Sequence, residues 1–204
     1  PGLNIIKGRS NTGKTCIIKC IDYCFGSKKK PFDASFGYDT ISIQISSDLG
    51  EIEITRIFGK NQVQVKTSIN GYDSGTYDLN YNPKKKEKLP ILSDLLLTAI
   101  GIDSEHQIIK NKYYDRRRLT WRTFLNLMLF HVGDIAKEES IIEPDQATEK
   151  TAFLSALLFL LSGNDFSNVD AQSERSLRKA KRTAVEEYVN KKISAAADMR
   201  KELE

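Results

Sequence analysis

The chain has 204 residues, a formal net charge of +4, 40% hydrophobic residues and 28% charged ones. That length carries one sizeable core with an appendage, and the balance is that of a soluble globular protein. No apolar run reaches the ~20 residues of a membrane span, the N-terminus shows no secretory pattern, and the mild positive charge permits a nucleic-acid partner without demanding one.

Read in chain order, Leu3-Asn4-Ile5-Ile6-Lys7 predicts a short buried strand. It runs into Gly8-Arg9-Ser10-Asn11-Thr12-Gly13-Lys14-Thr15, which fits G-x-x-x-x-G-K-[ST]. From Lys14 to Cys24, Ile17, Ile18, Ile21 and Cys24 share one face of a helix. Strand, loop and helix form the context that a phosphate-binding P-loop requires. Glycines at 8 and 13 allow turns that a Cβ would block, so backbone N–H groups can point at phosphate oxygens. The helix N-terminus offers unpaired donors and the positive end of its dipole. Gly8, Asn11, Thr12, Gly13, Lys14, Thr15 and Cys16 are thus the candidate nucleotide contacts. Lys14 is expected to reach the β- and γ-phosphates of ATP, and the Thr15 hydroxyl to complete a Mg²⁺ shell.

Cys16, Cys20 and Cys24 fall four residues apart along one face of this helix. Successive helical turns hold thiols poorly for tetrahedral chelation. The three are expected to be buried, reduced and packed on a sheet, which implies the cytoplasm. Gly26–Asp33, with Lys28-Lys29-Lys30-Pro31, reads as an exposed loop.

Thr40–Ile45 and Glu51–Ile57 alternate polar and apolar residues with the period of half-buried strands, and Asp48-Leu49-Gly50 supplies the turn between them. Val63 and Val65 suggest a third strand. The result is an antiparallel meander after a P-loop helix. After the charge run Lys84–Lys88, residues Ile91–Ile100 predict an apolar helix ended by Gly101. Tyr113-Tyr114-Asp115-Arg116-Arg117-Arg118 reads as ordinary tyrosine packing beside a charged helix entry, with a base-stacking, phosphate-holding surface as the second reading. A helix follows from Thr120 to about Leu129. Another, Glu149–Leu161, is so apolar that burial on all sides is expected, with Gly163 ending it. Beyond about Val169 the composition turns to Lys, Arg, Glu and Ala, with apolar positions at Val185, Val189, Ile193, Ala196, Met199 and Leu203. This predicts a long amphipathic helix that runs to the chain end without a cap. With Pro1 in place of Met, it predicts a chain trimmed from a longer one.

Near-terminal P-loop, antiparallel meander, buried helix and emerging coiled coil, in that order, resemble the N-terminal half of the head of SMC/RecN/Rad-type ATPases, the ABC-like group with long coiled coils. Ile21-Asp22-Tyr23-Cys24-Phe25-Gly26 adds weaker support to Gly8–Thr15. The resemblance implies an α/β P-loop NTPase lobe over residues 1–165 and the start of a coiled-coil helix over 166–204. It implies ATP and Mg²⁺ as cofactors, and a C-terminal lobe of the same parent protein bringing signature loop and Walker B acid. It further implies a head-to-head homodimer, and a role in DNA repair, chromosome maintenance or anti-phage defence, with DNA as a possible partner and no membrane.

Three departures stand out. Where that family has a Q-loop glutamine, this chain has Leu129-Phe130-His131-Val132-Gly133-Asp134-Ile135, leaving His131 or Asp134 as weak substitutes. Leu161-Ser162-Gly163-Asn164 mimics a signature loop but ends a helix and lacks the second Gly, so it reads as a decoy. No apolar strand ending in an acid follows the P-loop, so half of a hydrolytic site is expected here. The competing readings are a self-contained small P-loop kinase, which would need a parallel core, and an interaction module with a vestigial P-loop.

Overall fold

The alternation of Ile41, Ile43 and Ile45 with Ser42, Gln44 and Ser46 becomes strand β1 (Thr40–Ser47) of the computed structural model. The structure describes residues 2–81, 89–102, 105–111, 113–130, 144, 147–163, 165–167, 179, 182–183 and 185–195. β1 turns through Asp48-Leu49 into β2 (Gly50–Ile57), followed by β3 (Gln62–Thr67) and β4 (Gly75–Asp78). The four form an antiparallel sheet in the order β1-β2-β3-β4. The meander read from the sequence is therefore present, with one strand more. β4 is short and buries only Tyr77, too little pattern to announce itself.

One face of the sheet is apolar. Ile52, Ile54, Val63, Val65 and Tyr77 are buried there and join a single cluster with helices α2 (Leu92–Ala99), α3 (Trp121–Met128) and α4 (Ala147–Ser162). The opposite face is polar and carries cross-strand pairs, Ser42 with Thr55 at 2.7 Å, Gln64 with Thr76 at 2.9 Å and Lys66 with Glu53 at 3.0 Å. α1 (Lys14–Cys24) lies over β1 and β2 on the apolar side. Its last turn closes with Gly26 N–H to the Tyr23 carbonyl and Ser27 N–H to the Asp22 carbonyl, the paired bonds that finish many helices.

A two-stranded hairpin, β5 (Gln107–Ile109) with β6 (Arg116–Arg118), falls where the sequence showed only an aromatic and basic cluster. Its arginines are committed internally. Arg117 makes a bidentate pair with Glu149 of α4 at 2.7 and 3.0 Å, and Arg118 pairs with Asp94 of α2 at 2.9 Å. The structural reading of that cluster therefore outweighs base stacking.

Three expectations need correction. Leu3–Lys7 forms no strand: it has no ladder partner among the described residues, and Leu3, Ile5 and Ile6 are 88%, 76% and 64% exposed. A buried strand needs neighbours on its edges and cover on its faces, and no described element stands there. α4 is not buried all round. Ala152, Ala156 and Phe159 meet the core, while Leu154, Leu158 and Leu161 are exposed. Of the thiols only Cys24 is buried, Cys16 and Cys20 being half-buried, and all three are free. In the loop after α1 the lysines are exposed as expected, yet Gly26, Ser27 and Pro31 are buried. Residues 185–195 are helical, with Val185, Val189 and Ile193 exposed in a row.

Candidate nucleotide-binding site

The loop before α1 is shaped by two left-handed residues, Asn11 at φ 58° and Gly13 at φ 83°. Gly13 is also the N-cap of α1, a position where an L side chain would be strained. Left-handed turns at these points form the backbone pattern that gathers N–H groups into a concavity for an anion. α1 then begins at Lys14, with the Cys16 N–H bonded to the Gly13 carbonyl at 2.9 Å.

Side chains tighten the loop. Thr12 Oγ1 donates to the Arg9 carbonyl at 2.8 Å. Lys14 Nζ donates to the carbonyls of Gly8, at 2.9 Å, and of Arg9, and lies 3.3 Å from Thr12 Oγ1. The ammonium is thus held over the loop rather than extended from the helix. A Cβ on Gly8 would come within 3.2 Å of Thr12 Oγ1, a tight contact that the Thr12 side chain would have to give way to. Thr15 is exposed at the helix start beside Lys14.

These features fit a polyphosphate. The loop concavity and the N-terminal turn of α1 would hold phosphate oxygens, Lys14 would neutralise them, and Thr15 would give a hydroxyl to Mg²⁺. Among the described residues no group of three His, Cys, Asp or Glu is placed to hold a metal. Gly8, Asn11, Thr12, Gly13, Lys14, Thr15 and Cys16 all lie in this loop or in the first turn of α1. His131 and Asp134 lie outside the described residues.

What the motif could not reveal is how α1 is anchored. Arg56 of β2 stands on the same face as Ile52 and Ile54 and is 3% exposed. Its Nη1 donates to the carbonyls of Tyr23 and of Ser27, the latter at 2.8 Å, and its guanidinium lies 3.7 Å above the Tyr23 ring. A cation thus sits at the C-terminal end of the P-loop helix, where the dipole favours it. Burial lowers its pKa below the usual arginine value, and its Nε has no hydrogen-bond partner among the described residues. Arg122 of α3 adds a second tie, pairing with Asp22 at 3.0 Å. The period-2 pattern of β2 did place Arg56 among inward residues, which was the one available signal.

The cysteine face borders a groove of about 440 Å³ between α1 and β1, lined by Cys16, Ile17, Cys20, Ile21, Ile41 and Ile43 among others. Burial pushes the Cys20 thiol up to about 11, with Cys16 nearby adding to the effect, and burial likewise raises Cys24 to about 11. A raised pKa favours the protonated, less nucleophilic form of both thiols at neutral pH. Apart from this groove, a cavity of about 60 Å³ lies beside Trp121 and the Asp94–Arg118 pair, away from the loop. It has room for water, not for a nucleotide.

A P-loop at the head of α1, on an α/β scaffold with an antiparallel sheet, defines a nucleotide-binding ATPase-like domain. A family model described as an AAA domain matches residues 1–204, and the chain belongs to that family. No curated protein and no solved structure matches it. No helix among the described residues is long and apolar enough to cross a membrane.

Proposed function

We propose that this chain is the ATP-binding N-terminal lobe of an SMC/RecN-like ATPase, cytoplasmic, acting in DNA repair, chromosome maintenance or anti-phage defence. Residues 1–165 are the lobe and 166–204 begin a coiled-coil helix. The observation that carries the reading is the closed loop, with Lys14 Nζ folded over the Gly8 and Arg9 carbonyls at the start of a helix whose far end is pinned by Arg56.

The division of labour follows from which groups are present. The loop N–H groups, Lys14 and Thr15 bind and orient the phosphates and their Mg²⁺. Bound Mg-ATP brings the phosphoryl group and the metal that balances its charge. Hydrolysis also needs a metal-binding carboxylate and a group that orients water. We assign these to a C-terminal lobe of the same parent protein and to a second head across a homodimer. The exposed Leu3, Ile5 and Ile6, and the row Leu154, Leu158 and Leu161, support such a lobe, since apolar surface of this extent invites cover. The exposed row Val185, Val189 and Ile193 supports a partner helix.

DNA is the proposed cargo, held through phosphates by exposed lysines such as Lys28–Lys30. Such binding is blind to sequence and falls steeply with salt. A filter assay with no retention at low salt removes DNA from the proposal. The nucleotide reading is tested by heat. Mg-ATP raises the melting temperature of the wild type and leaves Lys14→Ala unmoved. Identical melting of both proteins with and without nucleotide overturns it.

A further inference from the structure

The loop between α1 and β1 carries two kinds of exposed residue. Lys28, Lys29 and Lys30 are exposed near its start, and Phe36 and Tyr38 are 67% and 65% exposed near its end. Single exposed apolar side chains need no explanation, but two rings held on one support mark a contact surface.

The support is built from the core outward. Tyr23 of α1 is buried, and its ring meets Phe58 edge-on at 5.3 Å. Phe58 in turn meets the half-buried Phe32 at 5.2 Å. Phe32 then carries both outer rings, Phe36 at 6.4 Å and 83° and Tyr38 at 5.6 Å and 72°. The backbone fixes them as well. The Ser35 N–H donates to the Asp33 carboxylate at 3.0 Å and the Phe36 N–H to the Asp33 carbonyl at 3.2 Å, while the Phe58 N–H donates to the Asp39 carbonyl at 2.8 Å. An edge-on contact holds a ring from one side, so rings this exposed keep a face toward solvent. Lys30 stands two residues before Phe32, which puts its Cα within about 8 Å of that support. Lys60, exposed two residues after Phe58, adds a further cation. Against these stand Asp33, engaged in its turn, and Asp39, so the loop is net positive.

We propose that this loop binds unpaired nucleotides, with bases stacked on the open faces of Phe36 and Tyr38 and neighbouring phosphates held by Lys28, Lys29 and Lys30. Exposed rings beside cations are the two parts of a single-strand site, since every base has a π face and every nucleotide a charge. A duplex cannot use the rings, because its base faces are already stacked inside it. An apolar peptide needs a groove, and neither ring lines a cavity described above. The inference rests on the lysine–phosphate contacts of the DNA reading and goes beyond them in the form of nucleic acid it selects. It is independent of the ATP reading.

Fluorescence anisotropy on residues 1–204 tests it, with labelled oligothymidylate and oligouridylate of about 15 nucleotides and a DNA duplex of the same length. Both single strands bind more tightly than the duplex. Phe36→Ala and Tyr38→Ala each weaken single-strand binding roughly tenfold, the cost of one lost base stack, and leave the duplex unchanged. Phe36→Tyr keeps the affinity, whereas Phe36→Leu, with apolar bulk but no π face, loses it. Changing Lys28, Lys29 and Lys30 together to Gln lowers the slope of log K against log salt for single strands by about two. Single-strand affinity that survives the loss of either ring overturns the proposal and leaves the lysine contacts standing. Equal losses on single strand and duplex also overturn it, since they mark a general disruption of the loop. So does Phe36→Leu binding as well as the wild type, which assigns the rings to an apolar partner or a lipid surface. No binding of any strand at low salt removes this inference and the DNA reading together.

Discussion

Replacing Arg56 tests how the P-loop helix is anchored. The guanidinium satisfies two carbonyls at the C-terminal end of α1, Tyr23 and Ser27, and covers the Tyr23 ring at 3.7 Å. In Arg56→Ala both carbonyls lose their donor in a buried site, at about 1–3 kcal/mol each, and a desolvated cation–π contact worth up to ~2 kcal/mol goes with them. Against this stand the cost of burying the charge, which already lowers the Arg56 pKa, and the unpartnered Nε. Weighing these terms gives a net loss of about 3 kcal/mol. For a chain of this size that is roughly 6–12 °C in Tm. Arg56→Lys keeps the charge but lacks the flat face and fork, so it recovers about half. Urea denaturation followed by far-UV circular dichroism measures both variants. Arg56→Ala within about 1 kcal/mol of wild type, or Arg56→Lys no better than Arg56→Ala, would refute the anchoring role.

Other outcomes follow from the same geometry. Mg-ATP at a hundredfold excess over its Kd stabilises the folded chain by about 2.7 kcal/mol, a rise of several degrees in differential scanning fluorimetry that is lost in Lys14→Ala. Residues 1–204 alone turn over ATP negligibly, because contacts made equally in ground and transition states do not accelerate a reaction. Adding the matching C-terminal lobe restores phosphate release and Lys14→Ala removes it, whereas robust activity of residues 1–204 by themselves favours a self-contained enzyme. Cys20 and Cys24, raised from 9.0 to about 11, react with iodoacetamide at pH 8 more slowly than a free thiol, as peptide mass spectrometry reports; labelling as fast as a free thiol contradicts the raised values. Because the folded state favours the protonated thiol, their contribution to stability is complete below pH 9 and is lost as pH rises through about 11. Urea midpoints that do not fall between those pH values count against it.

The loop Gly8–Thr15 was legible in the sequence because its function is local: glycines at fixed offsets, a lysine and a hydroxyl need only the start of a helix to be brought together. The strands Thr40–Ser47 and Gly50–Ile57 were legible because a half-buried strand writes its two faces into alternate residues, and α2 because Gly101 stops it. Tertiary structure decided the rest. Gly75–Asp78 carries one buried residue and becomes a strand only because β3 stands beside it. Arg116–Arg118 becomes a paired strand only because Gln107–Ile109 faces it, and Glu149 and Asp94 arrive from distant helices to neutralise Arg117 and Arg118. The apolar run in α4 named a helix but could not say which side meets the core, since a helix apolar all round has no moment to orient it. Leu3, Ile5 and Ile6 announce burial, yet burial depends on neighbours that a sequence window does not contain. Arg56 shows the same limit from the polar side: alternation points it inward, and only the packed end of α1, with its carbonyls and the Tyr23 ring, makes a buried cation tolerable there.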